Sequence, residues 1–322
     1  MRISFVGKGG SGKSTLSSSF ASYVVTKNNL PVLVFDADLN IHIPELLGFD
    51  SIPTEKHLSG DRTSGVIKRW LIGQNDIPNL GAFRKSTPPT RKSNIIKLES
   101  IKETPIGEFG FHRGNLSVFA VGTYQEEDIG SSCYHNNLSV LENILSHTDD
   151  INGFLITDMV AGVDSFAGTL HAQFDLTCLV VEPTMRSVEV YKKYMNLAIE
   201  AGIGDTVKVI GNKIRNENDK EFIETHVPVE KIIGYFYEDQ HIRDIDQNGD
   251  KLSVVKLNNS NQELLSKIFN TIMVLPDNRN QRLNKIWDLH KKYVAQSFIK
   301  DRFGDLENQI DPDFIFIDEK SE

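Results

Sequence analysis

The chain of 322 residues carries 44 acidic against 35 basic side chains, a formal net charge of -9, and 39% hydrophobic residues. That excess of acid disfavours sequence-independent binding to DNA or anionic lipid, so nucleic acid is not an expected partner. No stretch approaches the ~18 consecutive apolar residues of a spanning helix, the N-terminus runs into a strand without a cleavable signal, and Cys133 and Cys178 make no disulfide framework; a soluble, cytoplasmic chain with no membrane insertion is expected.

In chain order, strands are predicted at Arg2 to Val6, Pro31 to Asp36, Leu116 to Val121, Gly153 to Asp158, Leu176 to Glu182, Val207 to Asn212 and Lys231 to Phe236. Several are nearly continuous apolar runs, the pattern of strands covered on both faces. Helical patterns between them, beginning with Leu16 to Val25, predict an α/β fold with a mostly parallel central sheet flanked by helices on both faces. An ATPase domain over residues 1–275 is expected, with an insertion at about 51–114 in which Thr87-Pro88-Pro89-Thr90-Arg91-Lys92-Ser93 reads as an exposed loop. Residues 276–322 read as an extension, with a helix from about Asn280 to Phe298 and an acidic tail containing Asp311-Pro312-Asp313.

Directly after the first strand comes Gly7-Lys8-Gly9-Gly10-Ser11-Gly12-Lys13-Ser14-Thr15. It fits the phosphate-loop pattern through Gly7, Gly12, Lys13 and Ser14. Glycines let backbone N–H groups approach phosphate oxygens, Lys13 would reach the β- and γ-phosphates, and the Ser14 hydroxyl would coordinate Mg²⁺. The helix that follows presents its N-terminus to the same anion.

Three further landmarks follow. Asp36-Ala37-Asp38 puts two carboxylates at a strand end, where one can hold a metal-bound water and the other orient the attacking water; a solvated turn is the plainer alternative. Asp158 ends the strand Phe154 to Asp158 and is followed by Gly162, whose N–H could approach a γ-phosphate. Asn212-Lys213 ends a strand with an amide suited to a purine edge, or with an ordinary Asn-Lys turn.

Together these residues resemble the deviant Walker A ATPases, a family that includes nitrogenase iron protein, the MinD/ParA positioning ATPases and the CooC-type maturation factors of carbon monoxide dehydrogenase. The extra Lys8 and the Asp36-Ala37-Asp38 pair carry the likeness, which runs over about Met1 to Val255 and is closer to the CooC-type branch. The resemblance implies that Lys8 reaches a nucleotide in a partner subunit, hence an ATP-dependent homodimer. It further implies Asp38 as the water-orienting acid and Ser14, Asp36 and Asp158 around Mg²⁺. Asn212 would read adenine, with Glu182 and Pro183 near the base.

CooC-type proteins carry a Cys-x-Cys pair before a helix, and the similar segment here is Cys133-Tyr134-His135. Cys and His from two subunits would supply four ligands to an interfacial Zn²⁺ or Ni²⁺. A small buried thiol and a solvated helix-start imidazole are the alternative. Departures from the family pattern are Leu39, His42, Val160 and Ala167. The expected activity is ATP hydrolysis driving a conformational switch. The switch would serve maturation of a client metalloenzyme or, alternatively, positioning through an ATP form that binds a partner protein or surface. Electron transfer fits less well, since Cys178 lies inside an apolar strand.

Overall fold

The computed structural model describes residues 1–122, 137–160 and 162–317. The chain begins β1 (Arg2–Gly7), α1 (Lys13–Lys27), β2 (Val32–Ala37), α2 (Ile43–Leu46) and α3 (Asp61–Ile72). It continues through the two-residue β3 (Ile96–Lys97), then β4 (Phe111–Arg113), β5 (Leu116–Ala120), α4 (Leu138–Ser146), β6 (Thr148–Asp149), β7 (Phe154–Met159), β8 (Leu176–Val181) and α5 (Met185–Glu200). The last part holds β9 (Val207–Ile214), α6 (Glu217–His226), β10 (Ile232–Tyr237), α7 (Gln240–Asn248), α8 (Asn259–Met273), α9 (Arg279–Val294) and α10 (Ser297–Phe303).

Among the described residues the main sheet runs β10-β9-β8-β1-β7-β2-β5-β4, and every neighbouring pair is parallel except β4 with β5. All seven predicted strands are present within two residues of their expected bounds, because a buried parallel strand must be apolar on both faces. In β2, Leu33 and Phe35 pack with Ile67 of α3 and Leu141 of α4, while Val32 and Val34 pack with Phe20 of α1 and Ile268 of α8. This alternation follows from the two-residue period of a strand. The order places β7 between β1 and β2, and because the three are parallel the loops after them open side by side at the carboxyl end of the sheet.

One expectation needs correction. Thr87 to Thr90 are buried, and Arg91 and Lys92 alone in that run are exposed. The residues that cover them lie some two hundred positions later: Ser86 Oγ and His290 Nδ1 are 3.0 Å apart, and Thr87 Oγ1 donates to Gln309 Oε1 at 2.8 Å. Pro and Thr mark a turn but say nothing of what later folds over it. The acidic tail is also engaged, since Asp311 accepts from the Arg91 backbone N at 3.0 Å and pairs with Arg91 Nε at 2.9 Å. Phe314 and Phe316 pack with Leu283.

The extension is joined to the sheet by buried charges. Arg282 pairs with Asp175 and, at 2.5 Å, with Asp150, which also meets Arg2 Nε at 2.9 Å; Arg279 pairs with Asp149 at 2.6 Å. Burial would raise the Asp150 carboxyl, but Arg2, the Met1 amino group and Arg282 outweigh it and hold it well below the usual range.

Candidate functional site

The glycine-rich loop leaves β1 through Gly7 at φ 152° and turns through Gly10 and Gly12, whose φ values of 76° and 90° lie in the left-handed region. At Gly12 a Cβ would meet Asn212 Nδ2 at 2.2 Å, so backbone conformation and space both demand glycine there. The turn is closed by Ser11 N donating to Lys8 O at 3.1 Å. No side chain caps the N-terminus of α1, which leaves its first N–H groups facing an anion site.

Around this loop the structure gathers the expected acids. Ser14 Oγ donates to Asp158 Oδ2 at 2.5 Å, and Lys13 Nζ lies 3.4 Å from Asp38 Oδ2. Lys13 is only 3% exposed. Asp36 stands opposite Asp158 in the pairing of β2 with β7. Its Oδ2 accepts from the N–H groups of His42 and Ile43, both at 2.9 Å, so Asp36 also shapes the loop that carries Asp38. Gly162 N donates to Gly7 O at 3.1 Å, which ties the loop after β7 to the phosphate loop.

The electrostatics of this corner fit a cation. Burial pushes the Asp36 carboxyl up to about 6. Burial, and then the Asp36 charge, push Asp158 well above the ordinary carboxylate range. Asp158 Oδ1 is buried with no hydrogen-bond partner. A hydroxyl and two carboxylates are hard oxygen donors, and Mg²⁺ commonly takes only one or two protein carboxylates with the remainder from phosphate and water. Among the described residues, no group of three or more His, Cys, Asp or Glu side chains could hold a metal alone. Cys133 and His135 lie outside the described residues, and Cys178 is a buried strand residue whose thiol is pushed upward by burial.

Two clefts flank the loop and share Gly12, Thr15, Lys213 and Asp246 in their walls. A cavity of about 750 Å³ is lined by Gly10, Lys13, Ser14, Asp38, His42 and Asp246 among others. A second, of about 260 Å³, is lined by Gly12, Asn212, Phe236, Tyr237, Asp239 and Ile242 among others. The second has the apolar and polar mixture of a base pocket. Asn212 borders it, though its Nδ2 donates to Ser11 O at 2.6 Å and so braces the phosphate loop from behind. Glu182 and Pro183 are not among its lining residues; the Glu182 side chain is with Lys8 and Lys213.

Residues 4–285 match the CobQ/CobB/MinD/ParA nucleotide binding domain, which spans most of the chain. The chain belongs to this family. Among its relatives, the carbon monoxide dehydrogenase accessory protein CooC of Rhodospirillum rubrum is 27% identical over 252 residues, covering 77% of this chain and 88% of the relative. An uncharacterized ATP-binding protein of Methanocaldococcus jannaschii is 26% identical over 280 residues, covering 85% and 98%. In fold, a ParA family ATPase from Chlorobium tepidum superposes with a TM-score of 0.57 at 16% identity, over 82% of this chain and 96% of the other. The cell division ATPase MinD of Pyrococcus furiosus gives 0.52 at 18% identity, over 84% and 98%. The family assignment makes the phosphate loop part of a nucleotide-binding domain.

Sequence reasoning missed several members of the site. Phe236, Tyr237 and Asp239 were passed over, although Asp239 N-caps α7 by accepting from His241 N at 2.9 Å, and a strand end followed by an Asp cap is a readable signal. Glu142 lies within the apolar run of α4, where an acid is anomalous; it accepts from Thr169 N at 2.5 Å and Thr169 Oγ1 at 2.7 Å and so grips the segment after β7. At Ala167, one of the departures from the family pattern, Lys85 Nζ donates to the backbone oxygen at 2.7 Å and so brings an ammonium to that position.

Proposed function

We propose that this chain is an ATP-hydrolysing switch that works as an ATP-dependent homodimer. The observation that carries the reading is the paired contact at the phosphate loop, Lys13 with Asp38 and Ser14 with Asp158, beside a carboxylate oxygen left without a partner. ATP entering the cleft would draw Lys13 from Asp38 onto the β- and γ-phosphates and release the Asp38 carboxylate to orient a water for in-line attack. Ser14, Asp36 and Asp158 are the residues that would hold Mg²⁺, which when bound supplies charge that neutralises the phosphates. Positioning and charge neutralisation provide the catalysis, since the protein forms no covalent bond in such a transfer.

The switch follows from the links between loops. Asp36 anchors the chain between Asp38 and Ile43, and Gly162 N on Gly7 O anchors the segment after Asp158. Contacts to the γ-phosphate vanish on hydrolysis, so both segments would rearrange together. The likeness to CooC over most of its length supports a role in maturing a client metalloenzyme, with Cys133 and His135 as the residues to test for an interfacial Zn²⁺ or Ni²⁺. The experiment is metal analysis of the protein with and without ATP, for the natural chain and for Cys133→Ala and His135→Ala. One transition metal per dimer, lost in both variants, supports maturation. ATP-dependent binding to a protein or surface with no metal would favour the positioning reading.

A further inference from the structure

Glu182 holds two ammonium groups at once. Lys213 Nζ lies 2.6 Å from Glu182 Oε1, and Lys8 Nζ lies 3.3 Å from Oε2. Lys213 Nζ also donates to Gly10 O at 2.7 Å, so it staples the phosphate loop as well as the carboxylate. Lys213 is the one non-glycine residue with positive φ among the described residues, at 59°. A lysine gains nothing locally from that conformation, and such backbone persists where the surroundings hold it there. Lys8 has the longer contacts: apart from Glu182 at 3.3 Å, its ammonium donates to Gly9 O at 3.3 Å, and its side chain is 34% exposed beside 47% for Lys213.

We propose that Glu182 and Lys213 are positioning residues for Lys8 with opposite effects: Glu182 parks Lys8 against its own subunit until a triphosphate is bound, and Lys213, by sharing the carboxylate, keeps that hold loose. Because Lys213 remains on Glu182, Lys8 can leave without stranding an unpaired carboxylate. That makes departure cheap, as expected of a partly exposed ion pair. The two lysines compete for one anion, so weakening Glu182 and removing Lys213 must act on Lys8 in opposite directions. A residue of merely structural importance would move both variants the same way. The proposal rests on the reading that Lys8 contacts the triphosphate in the ATP-bound dimer.

The test is acylation of lysines in the whole protein, quantified by mass spectrometry and referenced to the exposed Lys192. Without nucleotide, Glu182→Gln should raise Lys8 labelling about two- to five-fold. Lys213→Met should lower it, by leaving Glu182 to Lys8 alone. The ATP concentration for half-maximal dimerisation should shift correspondingly, down in Glu182→Gln and up in Lys213→Met. Shifts in the same direction, or no shift of Lys8 labelling in Glu182→Gln, would overturn the parking. A different failure marks the underlying reading: if a non-hydrolysable ATP analogue binds the natural protein yet leaves Lys8 labelling unchanged, Lys8 does not contact the nucleotide.

Discussion

Replacing Asp158 by Asn should stabilise the nucleotide-free protein while abolishing the ATP hydrolysis proposed for it. Asp158 is fully buried opposite Asp36, and both carboxyls are raised, Asp36 to about 6 from an ordinary 3.8. For Asp36 that is roughly two units at about 1.36 kcal/mol each, or about 3 kcal/mol to keep its carboxylate ionised; Asp158, raised by burial and then by the Asp36 charge, carries a penalty of the same sign. The Ser14 hydroxyl can still donate to an amide oxygen, and the unpartnered Oδ1 becomes an unpartnered amide group, so those costs are common to both chains.

The sign with pH follows from where protons sit. An acid whose folded value is raised binds protons more tightly when folded, so stability is lost as pH rises above the unfolded value. The advantage of Asp158→Asn should therefore be absent below about pH 4 and grow as pH rises above it. With an unfolding entropy of about 2.1 cal/mol/K per residue, every ~3 kcal/mol of such a penalty removed from the 322-residue chain corresponds to roughly 4 °C, so Asp158→Asn should melt higher than the natural protein at pH 8. Scanning calorimetry from pH 4 to 8 in chelator reads this directly. A variant that melts lower than the natural protein at pH 8, or a difference that does not grow with pH, would refute the reasoning.

Other changes have equally definite outcomes. Gly12→Ala combines a left-handed backbone with a Cβ lying 2.2 Å from Asn212 Nδ2, and titration calorimetry with an ATP analogue should show affinity reduced by at least about tenfold. Asn212→Ala removes the brace on Ser11 O, a neutral hydrogen bond of about 1 kcal/mol, and should weaken the same binding about fivefold. Arg282→Ala strips Asp175 and Asp150 of a buried partner and should destabilise the chain by about 3–5 kcal/mol, with limited proteolysis cutting first in the extension.

What the sequence revealed was whatever is encoded locally. Val32 to Phe35 and Phe154 to Ile156 read as buried strands because both faces are covered, and Gly7 to Ser14 reads as an anion loop because the backbone must turn where no side chain fits. What stayed hidden is set by partners far along the chain. Thr87 to Thr90 are buried only because Gln309 and the His290 helix fold over them. Lys213 meets Gly10 across a separation of 203 positions, and Lys85 meets Ala167 across 82. Asp36 and Asp158 each announce a strand end, but burial of Asp158 and the added push from the Asp36 charge exist only because β7 lies beside β2, between it and β1.

The central claim, an ATP-driven dimer switch, is tested most directly by light scattering on the purified protein with Mg²⁺ and ATP, using Asp38→Ala to stop hydrolysis. The account predicts that the mass doubles with ATP, returns to the monomer value with ADP, and fails to double when Lys8→Ala is added to the same variant. A mass that ignores ATP, or a dimer that forms equally with ADP and without Lys8, would contradict it.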